Sequence, residues 1–239
     1  MNKYALVTGC DHGLGYALVV KLITEGYIVF AGCYFNSFEH FQPYKEQYKD
    51  NLHLFCLDIS DTQSVLKVKE YIATQTDYID ILINNAGILG DIEDTIEDQL
   101  DFDAIEQVIR VNAIGTLKVT NTLFPYLRNG NGKLILTISS EAGSIEDCNR
   151  ESWFGYCMSK TAINMESALI QNKFYKYNGQ VMVVHPGWMK TYMRGKLDEN
   201  AEITPEYSAE CIWKLIENRI MYKSEKPVYL DYKGNKLNW

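Results

Sequence analysis

One stretch near the amino end constrains the fold more than any other, because it has the pattern of a strand, a glycine-rich turn and a helix. It runs from Tyr4 to Gly26 and reads YALVTGCDHGLGYALVVKLITEG. An apolar run stops at Thr8, and apolar residues at helical spacing follow from Leu14 to Ile23, which is typical of the first half of a βαβ unit. Three positions in this turn lack a Cβ atom, and a helix N-terminus with free N–H groups follows them, so the stretch predicts a pyrophosphate site. These positions are Gly9, Gly13 and Gly15. The alternative is a flexible strand–helix turn that binds nothing, since glycine spacing alone is weak evidence.

Length and composition narrow the class of protein. The 239 residues are 46% apolar, which predicts one α/β domain over residues 1–239. A net charge of -8 without a cluster of Lys or Arg argues against a nucleic-acid partner. No apolar run reaches the roughly 18 residues of a membrane span, and the first strand begins too early to leave room for a signal peptide.

The cysteines indicate a compartment. Six are scattered along the chain, without a CxxC pair or a Cys/His cluster. They therefore predict reduced thiols and no metal site. We expect a cytoplasmic protein.

Strands and helices alternate along the rest of the chain. Further strands are predicted over Tyr27–Cys33, Leu52–Leu57, Ile79–Ile83, Lys133–Ile138, Val181–Val184 and Val228–Leu230. Helices are predicted over Phe38–Asp50, Asp61–Thr74, Asp103–Leu127, Ser152–Tyr177 and Pro205–Arg219. Apolar residues of the long helix, including Ile114 and Leu117, are expected on its buried side.

The residues after the second strand leave the choice between NAD and NADP open. An acidic residue at this point would hydrogen-bond the 2′-hydroxyl of the adenosine ribose, and an arginine would accept a 2′-phosphate. The chain has Cys33-Tyr34-Phe35-Asn36 there, which supplies neither. His12, inside the glycine turn, is the only nearby group that could carry a positive charge.

Polar residues cluster at the predicted strand ends. Asn84-Asn85-Ala86-Gly87 suits a tight turn, and it also suits a backbone that passes close to a cofactor. Asp58 either contacts an adenine or begins the next helix. Asn112 lies on or beside the apolar side of its helix, where an amide must find partners; a satisfied core Asn is the simpler interpretation.

Tyr156 and Lys160 are four residues apart, on one face of a predicted helix. An ammonium group one turn away favours the phenolate, so we expect Lys160 to lower the pKa of Tyr156. Ser140 follows the neighbouring strand and can hydrogen-bond a substrate oxygen beside the phenol. These groups are what is needed to protonate a carbonyl as a hydride reaches its carbon, or to run the reverse reaction.

Together these motifs resemble the short-chain dehydrogenase/reductase family over essentially the whole chain. The resemblance is carried by TGCDHGLG at 8–15, NNAG at 84–87, Asn112, Ser140, Tyr156-Cys-Met-Ser-Lys160 and Pro186-Gly187 with Thr191. HPGWMKTYM, TPEYSAE and the ending LDYKGNKLNW are most like the sniffer and C-factor-like carbonyl reductases. The family fold is a Rossmann-type, doubly wound, seven-stranded parallel sheet with helices on both faces.

The resemblance implies a role for each matching residue. Tyr156 would be the general acid/base, Lys160 would lower its pKa and bind the nicotinamide ribose, and Ser140 would position the carbonyl. Asn112 would hold a water in a proton relay behind Lys160. The residues implied to contact NADP or NAD, with NADP slightly favoured, are Gly9, His12, Gly13, Leu14, Gly15, Tyr34, Asp58, Ile59, Asn84, Asn85, Ala86, Gly87, Tyr156, Lys160, Pro186, Gly187 and Thr191.

The expected function is hydride transfer between NAD(P)(H) and a small carbonyl or alcohol substrate, in the direction of carbonyl reduction. A homodimer or homotetramer is implied, assembled through the two long helices. The chain departs from the resemblance at His12 and Tyr34, where arginine is frequent. Five bulky residues suggest an apolar substrate pocket, although scattered aromatics are more often core: Leu89, Trp153, Phe154, Trp188 and Met193. The alternatives are a redox-sensing regulator that binds NAD(P) without turnover, and an interaction protein that uses the fold as a dimer scaffold.

Overall fold

A computed structural model describes residues 2–239 and contains one seven-stranded sheet, in which every strand is parallel to its neighbours. The strands are β1 Tyr4–Thr8, β2 Ile28–Cys33, β3 Leu52–Cys56, β4 Ile81–Asn84, β5 Leu134–Ile138, β6 Gln180–His185 and β7 Val228–Asp231. Their order across the sheet is β3-β2-β1-β4-β5-β6-β7. The expected seven-stranded, doubly wound parallel sheet is confirmed.

Helices connect the strands and cover both faces of the sheet. They are α1 Gly13–Thr24, α2 Gln42–Lys45, α3 Thr62–Gln75, α4 Phe102–Ile109, α5 Thr116–Asn129, α6 Phe154–Phe174 and α7 Pro205–Glu217. Alternate residues of β1 point to opposite faces, because successive side chains of a strand do so. Val7 packs with α1 and α7 on one face, and Leu6 packs with α3 and α5 on the other.

Two predicted helices are wrong in part. Residues 38–50 form only a short 3₁₀ turn, Glu39–Phe41, followed by the single turn of α2. Pro43 lies in the first turn of α2, and only Phe41 of this segment is buried, so little apolar surface stabilises a longer helix.

The predicted helix over residues 103–127 is interrupted. A π-helical segment, Arg110–Gly115, separates α4 from α5. The extra residue in the π turn rotates the side chains beyond it about the helix axis, and Ile114 and Leu117 are exposed rather than buried. The π segment also places Asn112 in the interior, with no exposed surface.

Among residues 2–239, no helix combines the length and the apolar character that crossing a bilayer requires.

Candidate active site

The strand order changes direction at β1, which has β2 on one side and β4 on the other. Ligands of open α/β sheets bind at such a switch point, beyond the carboxyl ends of the strands. The turn after β1 and the turn after β4 meet there. Thr8 Oγ1 accepts hydrogen bonds from the backbone N–H groups of Asn85 and Ala86, at 3.1 and 3.0 Å. The amide of Asn85 donates to the carbonyl oxygens of Thr8 and Gly9, both at 2.9 Å.

The three glycines of the turn leave no room for a side chain, or adopt a backbone conformation that disfavours one. A Cβ on Gly9, where φ is +69°, would lie 2.7 Å from the Cα of Ala86. A Cβ on Gly15 would lie 2.1 Å from the carbonyl oxygen of Gly9. Gly13 has φ +60°, and Thr191 lies 3.4 Å from the position of its Cβ. The turn is therefore pressed against the start of α1, and Thr191 reaches it from the segment after β6.

The N-terminus of α1 has no capping side chain and no acidic residue in its first turn. His12, the N-cap residue, is exposed, and its ring centroid lies 6.3 Å from that of Tyr192. Leu14 is buried in the core. Free N–H groups and the positive end of the helix dipole make this a suitable site for an anion.

The end of β2 is held by a carboxylate from the glycine turn. Asp11 accepts hydrogen bonds from the backbone N–H groups of Tyr34 and Phe35, both at 2.8 Å. The side chains of Tyr34 and Phe35 are both exposed. Asp11 therefore lies beside the position where this type of fold binds the adenosine ribose and distinguishes a 2′-hydroxyl from a 2′-phosphate.

The remaining predicted cofactor residues lie around the same edge of the sheet. Asp58 accepts from the backbone N–H of Ser60 at 2.8 Å, and Ile59 is buried, 2.8 Å from the Cβ position of Gly115. Asn84 is buried and donates to Thr120 at 2.9 Å, while its side-chain oxygen has no hydrogen-bond partner among residues 2–239.

Two further segments complete this edge. Gly87 is next to Lys160, whose Nζ lies 3.8 Å from the glycine's Cβ position. After β6, Pro186 accepts from Ser208 at 2.7 Å, and Gly187 has φ +85°.

Tyr156, Ser140 and Lys160 converge beyond the ends of β4 and β5. The side chain of Ser140 lies close enough to the phenol of Tyr156 to lower its pKa, and Lys160 Nζ lies 5.4 Å from the centroid of the Tyr156 ring. All three residues are buried. Lys160 donates to the carbonyl oxygen of Ile138 at 3.0 Å, which fixes its ammonium group between β5 and α6.

The expected lowering of the Tyr156 pKa is not found in this structure. Burial raises the pKa of Tyr156, and the contact with Ser140 opposes that rise only in part. Burial also lowers the pKa of Lys160 to about 8. Both shifts have the same cause, because a low-dielectric environment disfavours the charged form of each group.

Asn112 links the π segment to α6 and to the turn after β4. Its amide donates to the carbonyl of Ile88 at 2.8 Å and to Ser159 Oγ at 3.0 Å, and its oxygen accepts from the N–H of Ile88 at 2.8 Å. Ser159 in turn donates to the carbonyl of Tyr156 at 2.7 Å. Each polar atom of the Asn112 side chain therefore has a hydrogen-bond partner. These bonds join the turn that contains Gly87 to the helix that contains Tyr156.

Glu141 is a neighbour of Ser140 that the sequence motifs did not single out. It accepts from Ser140 Oγ at 2.7 Å and from the Arg150 guanidinium at 2.6 Å, and His185 Nδ1 lies 3.1 Å away. Burial raises the pKa of Glu141, but His185, Ser140 and Arg150 together outweigh that effect, so the net shift is downward. The sequence signal that could have identified Glu141 is its position directly after Ser140.

The residues expected around an apolar pocket lie in three different surroundings. Leu89 and Trp153 pack with Tyr156, together with Ala142 and Ile92. Trp188 and Met193 are exposed. Phe154 lines a separate cavity, with Asp101 and Val108 among its other walls.

Comparison with known proteins identifies the family. Residues 3–202 match the family model described as short chain dehydrogenase. Retinol dehydrogenase 5 of Mus musculus is 32% identical over 192 residues, which cover 80% of this chain and 58% of that protein. The mitochondrial D-beta-hydroxybutyrate dehydrogenase of Bos taurus is 30% identical over 194 residues, covering 78% of this chain and 54% of that protein. The chain thus spans less than two thirds of the length of these relatives.

Solved structures match the chain over its full length. An NADPH-bound carbonyl reductase from chicken fatty liver superposes with a TM-score of 0.87 at 26% identity, covering 100% of this chain and 99% of that one. The carbonyl reductase Sniffer of D. melanogaster superposes with a TM-score of 0.86 at 24% identity, covering 100% of both chains, and this likeness concerns the fold. With the family match over residues 3–202, these findings establish that the chain belongs to the short-chain dehydrogenase family.

Proposed function

We propose that this chain is an oxidoreductase that transfers a hydride between NAD or NADP and a carbonyl or alcohol substrate, acting in the direction of carbonyl reduction. The observation that supports it best is the meeting of Tyr156, Ser140 and Lys160 in one buried group beyond the ends of β4 and β5. Membership of the family and the NADPH-bound neighbour support the same assignment.

The residues after β1 fit a dinucleotide. Gly9 and Gly13 have positive φ, a Cβ on Gly15 would overlap the Gly9 carbonyl, and the N-terminus of α1 has no side-chain cap. The N–H groups of that first turn would hold the pyrophosphate, with Leu14 and Thr191 beside it. Asp58, Ile59 and Tyr34 would border the adenosine.

The other half of the cofactor would lie along the turns after β4 and β6. Asn84, Asn85, Ala86 and Gly87 form the first turn, and Pro186 and Gly187 begin the second. The side-chain oxygen of Asn84, buried and without a partner, is available for a water or a ligand group at this edge.

The chemistry assigns one role to each group. The bound nicotinamide supplies or accepts the hydride. Tyr156 donates its phenolic proton to the carbonyl oxygen, and Ser140 holds that oxygen beside the phenol. The Lys160 ammonium, beside the phenol ring, stabilises the phenolate that remains. Asn112 would hold a proton-relay water behind Lys160 through the second lone pair of its side-chain oxygen, since its two N–H donors are already bonded to Ile88 and Ser159.

The surroundings of Tyr156 favour an apolar substrate. Leu89, Ile92, Ala142 and Trp153 pack around the phenol and would exclude water from the reacting carbonyl. A relative named as a retinol dehydrogenase supports this preference, since retinol is an apolar substrate.

We also propose that the protein is a homodimer or homotetramer of the cytoplasm. Met158, Met165 and Leu169 form an exposed apolar stripe along α6, and Ile114 and Leu117 are exposed on the neighbouring helices. Contiguous exposed apolar surface of this kind marks protein–protein contacts. All six cysteines are free thiols, as is typical of a reducing compartment.

Substitution of Tyr156 by Phe tests the reaction. Purified wild type and Tyr156→Phe are compared for oxidation of NADH and NADPH with a panel of aldehydes, ketones and quinones, and cofactor affinity is measured separately by titration. Because the general acid is lost, we expect kcat to fall by roughly 10²- to 10⁴-fold while the Kd for the cofactor stays within about twofold.

Tyr175→Phe is the matched control, since Tyr175 follows α6 at its far end and is exposed; it should keep the wild-type rate. Equal rates in wild type and Tyr156→Phe would remove Tyr156 from the mechanism. Cofactor binding without turnover on any carbonyl would support the redox-sensing regulator instead.

A further inference from the structure

We infer that Tyr229 of β7 is a positioning residue for the reaction: it holds the backbone of Ser140 so that the serine hydroxyl stays aimed at the substrate oxygen. This inference rests on the proposed function. It concerns a buried phenol from the far end of the chain, to which the motifs of the sequence assign no role.

Tyr229 reaches the site from behind Ser140. Its hydroxyl donates to the carbonyl oxygen of Ser140, and its side chain is 2% exposed. Burial, opposed by the nearby side chains of Asn164 and Ser139, raises the pKa of the phenol to about 12. At physiological pH the phenol therefore keeps its proton and remains a donor.

The contacts of Tyr229 belong to a buried network around the loop after β5. Ser139 Oγ donates to Asn164 Oδ1 at 2.8 Å, and Asn164 Nδ2 donates to the carbonyl of Gly143 at 3.1 Å. Tyr229, Ser139 and Asn164 thus fix both ends of the short 3₁₀ turn Glu141–Gly143, which begins directly after Ser140.

The end of the described chain packs over this network. The ring centroids of Trp239 and Tyr229 are 5.1 Å apart. The carbonyl of Trp239 accepts from the N–H groups of Ile145 and Glu146, both at 3.2 Å. Asn238 donates to Asp147 at 3.0 Å. The segment from residue 229 to 239 therefore braces residues 140–147, the loop that carries the serine.

Position matters at Ser140 because its hydroxyl has competing partners. It donates to Glu141 and accepts from the N–H of Ala142 at 3.2 Å. A misplacement of about 1 Å in a reacting group can cost on the order of 10² in rate. The hydroxyl can serve the substrate only if the backbone below it is fixed, and the Tyr229 hydrogen bond to the Ser140 carbonyl supplies that constraint.

The test is Tyr229→Phe, which removes only the hydroxyl. We expect kcat for carbonyl reduction to fall about tenfold, with the Kd for the cofactor within about twofold of wild type. Tyr78→Phe is the matched control, because the Tyr78 hydroxyl also donates to a backbone carbonyl, that of Asn2, away from the site; its kcat should be unchanged.

A double-mutant cycle separates positioning from a general structural effect. If Tyr229 acts through Ser140, Tyr229→Phe should lower kcat in the wild-type background and have less than about a twofold effect in the Ser140→Ala background. An equal loss in both backgrounds, or no loss in the single variant, would overturn the inference.

A measurement that does not depend on turnover separates the test of Tyr229 from the test of the proposed function. Hydrogen exchange over residues 139–147, measured without substrate, should accelerate in Tyr229→Phe and not in Tyr78→Phe. Unchanged exchange would exclude a role for Tyr229 in holding the loop, even if the wild-type protein reduced no carbonyl. A wild type without turnover would instead contradict the proposed function.

Discussion

Asp11 and His12 are adjacent in the glycine turn and place an acidic and a basic side chain near the expected 2′ position of the adenosine ribose. The Asp11 carboxylate occupies the N–H groups of Tyr34 and Phe35, so those two donors are not free for a phosphate. His12 is exposed at the N-terminus of α1. The discrimination between NAD and NADP is therefore expected to depend on these two side chains.

Neutralising Asp11 should favour the phosphorylated cofactor. In Asp11→Asn we expect the Kd for NADPH to fall about three- to tenfold, because a negative charge near the 2′-phosphate is removed, while the Kd for NADH changes less than about twofold. In His12→Ala, the Kd for NADPH should rise and that for NADH should not. Fluorescence titration with both cofactors measures these constants, and parallel changes for NADH and NADPH would show that neither residue discriminates.

At the scale of one element, α6 contains a buried ionisable residue that the proposed reaction does not use. Glu166 is 9% exposed, and one of its carboxyl oxygens is buried without a partner. Burial, opposed in part by Lys160, raises its pKa from 4.5 to about 8. The folded protein therefore keeps this proton up to about pH 8, whereas the unfolded chain releases it near the ordinary value.

This difference makes stability depend on pH. The folded state binds more protons than the unfolded state between pH 4.5 and about 8, so the free energy of unfolding falls as pH rises through that interval. Glu166→Gln removes the effect. We expect the variant to exceed wild type in stability at about pH 8 by roughly a few kcal/mol, with the difference vanishing near pH 4.5.

Thermal or urea unfolding at a series of pH values from about 4.5 to about 8 measures this difference. Glu217→Gln, an exposed position of α7, is the control and should parallel wild type at each pH. A constant difference between Glu166→Gln and wild type across the series would contradict the protonation argument.

Also at this scale, the structure shows why helix boundaries and interruptions were harder to predict than strands. The inner strands β1, β2, β4, β5 and β6 are buried on both faces, and the continuous apolar runs of the sequence located the seven strands to within about two residues. The π segment at Arg110–Gly115 has no sequence signature of comparable strength. It depends on the tertiary contacts of Asn112 with Ile88 and Ser159, which lie 24 and 47 residues away.

At the scale of the whole molecule, the exposed apolar stripe on α6 predicts self-association. Replacing Leu169, which is 64% exposed, by Lys places a charge in the proposed contact. We expect Leu169→Lys to shift the wild-type dimer or tetramer toward smaller species in sedimentation velocity, without loss of helical circular dichroism. Met221→Lys is the control, since Met221 is 80% exposed in the 3₁₀ turn after α7, and should sediment as wild type. A wild-type protein that is monomeric at micromolar concentration would contradict this proposal.

The sequence by itself determined an α/β domain, because continuous apolar runs that alternate with helical patterns are typical of parallel strands buried between helices. Its resemblance to the family implied the doubly wound arrangement of seven strands. The sequence also determined which residues gather at the carboxyl edge, since parallel strands all end there. Only the tertiary structure decided the pKa shifts of the candidate catalytic residues and the hydrogen bonds that hold these residues in place. The phenol of Tyr156 has a raised pKa because neighbouring elements bury it, and Ser140 is bound by Glu141 beside it and by Tyr229, 89 residues away. Such contacts depend on how helices and strands pack, and no local pattern of residues specifies them.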